Sequence, residues 1–174
     1  MGYRSVEKAD MPKAFAWGNV KSRIWPVVVH SIRTAVATIA SLLVAGFFRL
    51  PETYWAPITT IVITQSSLGA AFTVSSQRFF GTAMGAAVGA IVATYLGHTL
   101  LVFAMSVFAL GLLCAAVQLD RSAYRFGGIA LAIVLLLPRK EPAWQVAFHR
   151  FAEVSIGIGV ALLMALVWPE TEDR

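Results

Sequence analysis

The residues of this chain that could do chemistry are a handful of ionisable groups set in long apolar runs. Arg33, Arg150 and Glu153 lie within such runs, and His149 stands beside Arg150. A charged side chain at membrane depth costs about 2.5–3.5 kcal/mol even on a lenient insertion scale, so it faces protein or water rather than lipid. Arg150 and Glu153 are spaced i, i+3 and can pair on one helix face. Arg33 lies about two turns into the first run, where snorkelling is strained. Its expected place is the bundle interior near Thr64, Gln65 and Ser66, as an attractive charge for an anion. Arg78 begins the third run, either as a flanking cation or on the same path. The second run is unusually polar, with Thr59, Thr60, Thr64, Gln65, Ser66 and Ser67. Those groups serve either interhelical hydrogen bonds or the lining of a path for a polar solute.

Constellations for catalysis are missing. His30, His98 and His149 sit at separate run ends, without metal-ligand spacing. There is no nucleophile elbow and no phosphate loop. Glu153 is the only acid within a run, so no relay of buried carboxylates is visible. Neither an enzyme nor a cofactor is expected. The single cysteine, Cys114, excludes a disulfide within the chain and reads as a packing residue.

The elements that must position these groups follow from composition. Of 174 residues, 58% are hydrophobic and 13% charged, against roughly 25% charge in a soluble domain. With mean hydropathy +0.73, lipid must be the solvent for much of the surface. The net charge of +5 comes from cations scattered at the ends of apolar runs, which is membrane-helix flanking rather than a nucleic-acid footprint. No nucleic-acid partner is expected.

A span needs about 20 apolar residues, and six candidates are present: Val27–Phe48, Tyr54–Thr73, Phe79–Gly97, Thr99–Leu119, Tyr124–Leu137 and Val146–Trp168. The expected fold is an all-α, six-span transmembrane bundle. Its domains are a cytoplasmic N-terminal segment over 1–26, a membrane domain over 27–169 and a cytoplasmic tail over 170–174. Residues 13–25, with Trp17, Val20, Ile24 and Val28 at helical spacing, read as an interfacial helix on anionic lipid. Residues 1–23 do not read as a cleaved signal peptide. The fifth span is the least secure: 14 residues cover only about 21 Å, as in a broken or re-entrant helix. All five tryptophans, Trp17, Trp25, Trp55, Trp144 and Trp168, fall at span ends, where indoles prefer to sit. With both termini on one side, nine flanking Lys and Arg share that side against three on the other, namely Arg49, Arg139 and Lys140. The positive-inside rule then makes the termini cytoplasmic.

Compared with itself at an offset of 72 residues, the chain shows a faint echo. Arg78-Phe79 matches Arg150-Phe151, Gly85 matches Gly157, Val88 matches Val160 and Ile61-Val62 matches Ile133-Val134. The echo pairs span two with five and three with six. With an odd number of spans in each half, such a repeat is inverted, a transporter-type layout. Pro57 in span two and Gly127-Gly128 in span five read as matching interruptions. Gly81, Gly85 and Gly89 form a double G-x-x-x-G that lets another backbone approach closely, within the chain or in a second copy.

Tyr54-Trp55-Ala56-Pro57, Gln65-Ser66-Ser67-Leu68-Gly69 and Gln77-Arg78-Phe79-Phe80-Gly81-Thr82-Ala83-Met84-Gly85 resemble the FUSC family of fusaric-acid resistance proteins and aromatic acid exporters. The run His149-Arg150-Phe151-Ala152-Glu153 to Gly157 is similar to the family's last span. The resemblance covers residues 27–169. It implies a six-span module with an inverted repeat, usually dimeric or internally duplicated, that exports small organic anions from the bacterial inner membrane. The plant malate channels are similar in architecture. A single module without a following cytoplasmic domain makes a homodimer the expected assembly. A different class of role is a non-transporting subunit that scaffolds a larger membrane complex. A water-accessible basic path separates the two.

Overall fold

The computed structural model describes residues 17–64, 68–138 and 141–168, with side chains from residue 24 on. Among these it is all-helical: α1 (Trp17–Phe47), α2 (Trp55–Thr64), α3 (Leu68–Tyr95), α4 (Leu100–Ala116), α5 (Arg121–Leu136) and α6 (Ala143–Val167). The stretches Ile24–Phe47 and Ala143–Val167 are each long and apolar enough to cross a membrane, at mean hydropathy 1.8 and 1.9. The helix α2 is a shorter apolar one, and its 10 residues rise about 15 Å.

The side-chain distribution reverses that of a soluble protein. Phe47, Leu100, Tyr95 and Val167 are each at least 80% exposed. Arg33, Ser41, Thr59, Thr60, Thr64, Arg78, Arg150 and Glu153 are buried. The buried apolar residues are largely alanines, including Ala37, Ala45, Ala56, Ala71, Ala123, Ala130 and Ala161. Small residues inside and large ones outside allow close helix approach where the solvent is as apolar as leucine. On α1 the inward stripe is Arg33, Ala37, Ser41 and Ala45, a strict i, i+4 row.

The helices α3 and α6 form the centre. The helix α3 packs on α5 and α6, and α2 packs on α6; α1 lies against α2 and α6, while α4 lies against α5 and α3. Cβ atoms built at Gly81 and Gly85 would overlap the backbone carbonyls of Ala123 and Gly127. The glycine face of α3 therefore meets α5 of the same chain. A Cβ at Gly157 on α6 would overlap the Ala56 carbonyl and lie 2.6 Å from Thr59 Cβ on α2.

Three expectations change. The polar stretch Ser75-Ser76-Gln77-Arg78 is not a loop between spans: it lies inside α3, which has 28 residues. Leu68 to Thr73 belong to α3 rather than to the second span, and Arg78 is not at a helix mouth. Hydropathy cannot separate a polar loop from a helix whose polar groups face inward, and Ser75 and Arg78 are both buried. The fifth span is one continuous helix rather than a broken one. It runs unbroken through Gly127-Gly128, and Pro57 sits in the first turn of α2, so neither interrupts its helix. The glycines are there for the close approach to α3. Finally, α1 runs from Trp17 through Pro26 without a break, so residues 17–25 continue into the first span; residues 13–16 lie outside the described part.

The connection between α3 and α4 is short, running from Leu96 to Thr99. Gly97 turns it with φ +82, a left-handed conformation that suits glycine. The Thr99 hydroxyl then caps α4 by accepting from the Val102 N–H at 3.3 Å.

Candidate functional site

Two buried arginines stand on the central helices. Arg150, on α6, is 3% exposed and Arg78, on α3, is 7% exposed. Each guanidinium has an aromatic ring over one face. The Arg150 Cζ lies 3.3 Å from the Trp55 ring centroid, and the Arg78 Cζ lies 4.9 Å from that of Phe126. Such stacking compensates part of a cation's charge and leaves the donor edge of its plane open. The edge is unused: Arg78 Nε, Arg150 Nε and Arg150 Nη1 are buried without a hydrogen-bond partner. The residues after the arginines, Phe79 and Phe151, meet each other at 4.9 Å between ring centroids. Both arginines thus flank the crossing of α3 and α6.

The two differ in counter-charge. Arg150 has Glu153 on its own helix, Nη1 to Oε2 at 4.0 Å. That is an ion-pair contact longer than a hydrogen bond. Glu153, only 1% exposed, accepts the backbone N–H of Glu52 at 3.1 Å. The Glu52 side chain in turn accepts the Trp55 indole N–H at 2.8 Å. Glu52, Glu153, Arg150 and Trp55 close a ring that joins the α1–α2 connection to α2 and α6.

A cavity of about 200 Å³ opens on this ring. Glu52, Glu141, His149, Arg150 and Glu153 supply its polar wall, and Ile133, Leu137 and Val146 are among its apolar lining. His149 Nδ1 lies 3.5 Å from Glu141 Oε2.

The other anticipated residues have varied fates. Arg33 is buried at 2% exposure on the inward stripe of α1. Thr64 is buried as well, but its hydroxyl donates to the Thr60 carbonyl at 2.7 Å. Thr59 donates likewise to Trp55, and Thr60 to Ala56 and to Gly157 of α6. With their protons bound to backbone, these hydroxyls offer only lone pairs, which do not attract an anion. Gln65 and Ser66 lie outside the described residues, as do Arg139 and Lys140. Gly89 is looser than its two partners, with a built Cβ 3.1 Å from the Val134 side chain. Sequence reasoning missed Glu52 and Phe126 and took Trp55 for an interfacial anchor. The signal that could have found the aromatic partners is the repeat, since Arg78 and Arg150 are 72 residues apart and Trp55 and Phe126 are 71 apart.

The model of the family described as fusaric acid resistance protein-like matches residues 36–164. The transporter YdhK of Salmonella typhimurium, itself uncharacterized, is 28% identical over 170 residues, 90% of this chain and 24% of the relative. The inner membrane protein YeeA of Escherichia coli is 29% identical over 147 residues, 82% of this chain and 41% of the relative. A putative arylamide transporter of Mycobacterium tuberculosis is 24% identical over 151 residues, 85% of this chain and 41% of the relative. The chain spans less than half the length of these relatives. No solved structure matches it. A family match across most of the chain, joined to an inward-polar, outward-apolar helical bundle, makes this a transporter-like membrane protein that belongs to the fusaric acid resistance protein-like family.

Proposed function

We propose that the chain is a six-span inner-membrane module that exports small organic anions, aromatic ones among them, with Arg78 and Arg150 as the groups that hold the anion. The observation that carries this reading is the pair of buried guanidinium groups, each stacked on a ring with a donor edge unpartnered. An unmet buried hydrogen-bonding group costs about 1–3 kcal/mol, more when charged. A carboxylate meets the need, because its two oxygens match the guanidinium edge. The rings of Trp55, Phe126, Phe79 and Phe151 around the arginines suit a solute with an aromatic body. The arylamide relative's name points the same way.

The inverted repeat is part of the proposal. Exchanging α1 with α4, α2 with α5 and α3 with α6 maps the α3–α6 contact onto itself and every other helix contact onto another one. Arg78 on Phe126 corresponds to Arg150 on Trp55, and Gly85 against Gly127 corresponds to Gly157 against Ala56. Phe79 and Phe151 correspond to each other and touch. On this reading the repeat axis lies in the membrane plane and passes through that contact, with both arginines near the bilayer midplane, where such transporters bind solute. The register is 72 residues from α3 to α6 and 71 from α2 to α5. A homodimer is the assembly this reading adopts from the family resemblance.

The direct test is flux of a small aromatic anion into liposomes that contain the purified protein alone. Flux above that of empty liposomes is expected. No flux would favour a scaffolding subunit. For topology, both termini should be cytoplasmic, so a cysteine added at residue 172 should label only from that side. Cys114, 2% exposed, gives little background. Labelling from the opposite side would invert the assignment.

A further inference from the structure

The two arginines occupy equivalent places, but only one has a carboxylate. Glu153 follows Arg150 by three positions; the residue three after Arg78 is Gly81. Gly81 cannot be replaced by an acid where it stands, since even a Cβ would overlap the Ala123 carbonyl. Among the described residues Arg78 forms no ion pair, whereas Arg150 has Glu153 within 4.0 Å. The carboxylate of Glu153 therefore sits where a substrate carboxylate would have to come. It is held there by the Glu52 N–H, and it faces a cavity of about 200 Å³.

We propose that Glu153 is a tethered competitor for the second anion position, displaced by a proton taken from this cavity, so that anion passage past Arg150 is gated by pH. The inference rests on the anion reading above. The step is a simple protonation: a hydronium ion in the cavity gives a proton to a carboxylate oxygen of Glu153, forming an O–H bond there and leaving water. The neutral carboxyl no longer balances Arg150, whose open edge then takes the substrate anion. A neutral acceptor also holds the Glu52 N–H more weakly than a carboxylate does. That loosens the connection which carries Trp55 and closes the cavity mouth.

Every titratable or charged neighbour fits this role. Glu52 comes from the α1–α2 connection, with Tyr54 beside it. Glu141 comes from the α5–α6 connection and pairs with His149 at 3.5 Å. His98 shares an adjoining depression with Glu141 and Pro138. From α5 comes Ile133, and from the residue just after its end Leu137, both apolar. Arg78 of α3 is the remaining cation near the crossing. The acids at the mouth collect protons and repel anions, which suits a proton entrance better than an open anion port.

The test uses the full chain in liposomes with benzenesulfonate as probe, because a sulfonate stays charged throughout. Flux is measured at equal inner and outer pH, near 5.5 and near 7.5, across the window where biological pH switches act. Wild type should be at least about fivefold faster in acid, the scale of a typical site–site coupling. Glu153→Gln should be fast at both values, and His149→Gln should keep the pH response. Equal wild-type flux at both values overturns the gate, whether or not the variants assemble. So does a pH response that survives in Glu153→Gln, or one lost in His149→Gln. Absence of wild-type flux at both pH values overturns the anion reading itself.

Discussion

Gly85→Leu should yield no folded, monodisperse protein in detergent, and Gly85→Ala should already lower thermal stability clearly. The reason is backbone against backbone. The carbonyl of Gly127 stands where the new Cβ would go, and Gly127 itself has the Gly81 carbonyl 2.8 Å from its own built Cβ. Neither helix can yield by turning a side chain, so α3 and α5 must part along their whole contact. Overpacking a site costs about 1–3 kcal/mol even where side chains can adjust, and here the closest helix pair of the bundle is lost. The series is graded. Gly89→Ala meets the Val134 side chain at 3.1 Å and should cost less. Gly128→Ala, one residue from Gly127 but with nothing within 4 Å, should be neutral or stabilising by up to about 1 kcal/mol, because alanine is the better helix former. Melting curves of the purified variants check the order. A Gly85→Leu protein that melts like wild type would place that face against lipid.

Arg78→Met should lower organic-anion flux by at least about tenfold, as expected from losing a charge-assisted hydrogen bond worth about 1.5–3 kcal/mol, while leaving the bundle as stable as before or more so. The two effects part company because, among the described residues, Arg78 has an aromatic neighbour but no ion pair. Replacing an uncompensated buried charge by an apolar chain of similar reach removes a desolvation cost. Arg150→Met should behave differently. It strands Glu153 in the core, and breaking a buried pair costs about 3–5 kcal/mol. Flux and melting temperature measured on the same preparations separate the cases. If Arg78→Met loses stability in step with flux, Arg78 is a structural residue and the anion site must lie elsewhere.

Several features of this molecule were legible in the residues themselves. An apolar chain with few charges and continuous apolar runs of about 20 residues reads as a helical membrane protein, because lipid leaves backbone groups no partner outside a helix or a closed barrel, and barrel strands are only about ten residues long. The echo of Arg78-Phe79 in Arg150-Phe151 was visible as spacing, and so was the i, i+3 placement of Arg150 and Glu153. The glycine face could be read as a surface for close approach, since a missing side chain has only that meaning on a helix.

What the chain could not announce was which groups meet. Hydropathy assigned Ser75 to Arg78 to a loop because it averages over a helix and is blind to the face a residue turns inward. That these residues lie within α3 is a consequence of packing, since Ser75 and Arg78 turn their polar groups inward and are buried, while Ser76 stays exposed. The glycine face could have met a second copy; the fit of Gly81 and Gly85 onto the α5 backbone settled it within one chain. Glu52 read as a loop residue, yet its N–H reaches a carboxylate 101 positions away. Trp55 had the right position for an interfacial anchor, and its ring instead covers a guanidinium. Local sequence fixes what a residue can offer, as donor, cation, ring or empty space. Which of those offers is taken up depends on helices crossing at distances of ångströms, and only the tertiary structure sets those.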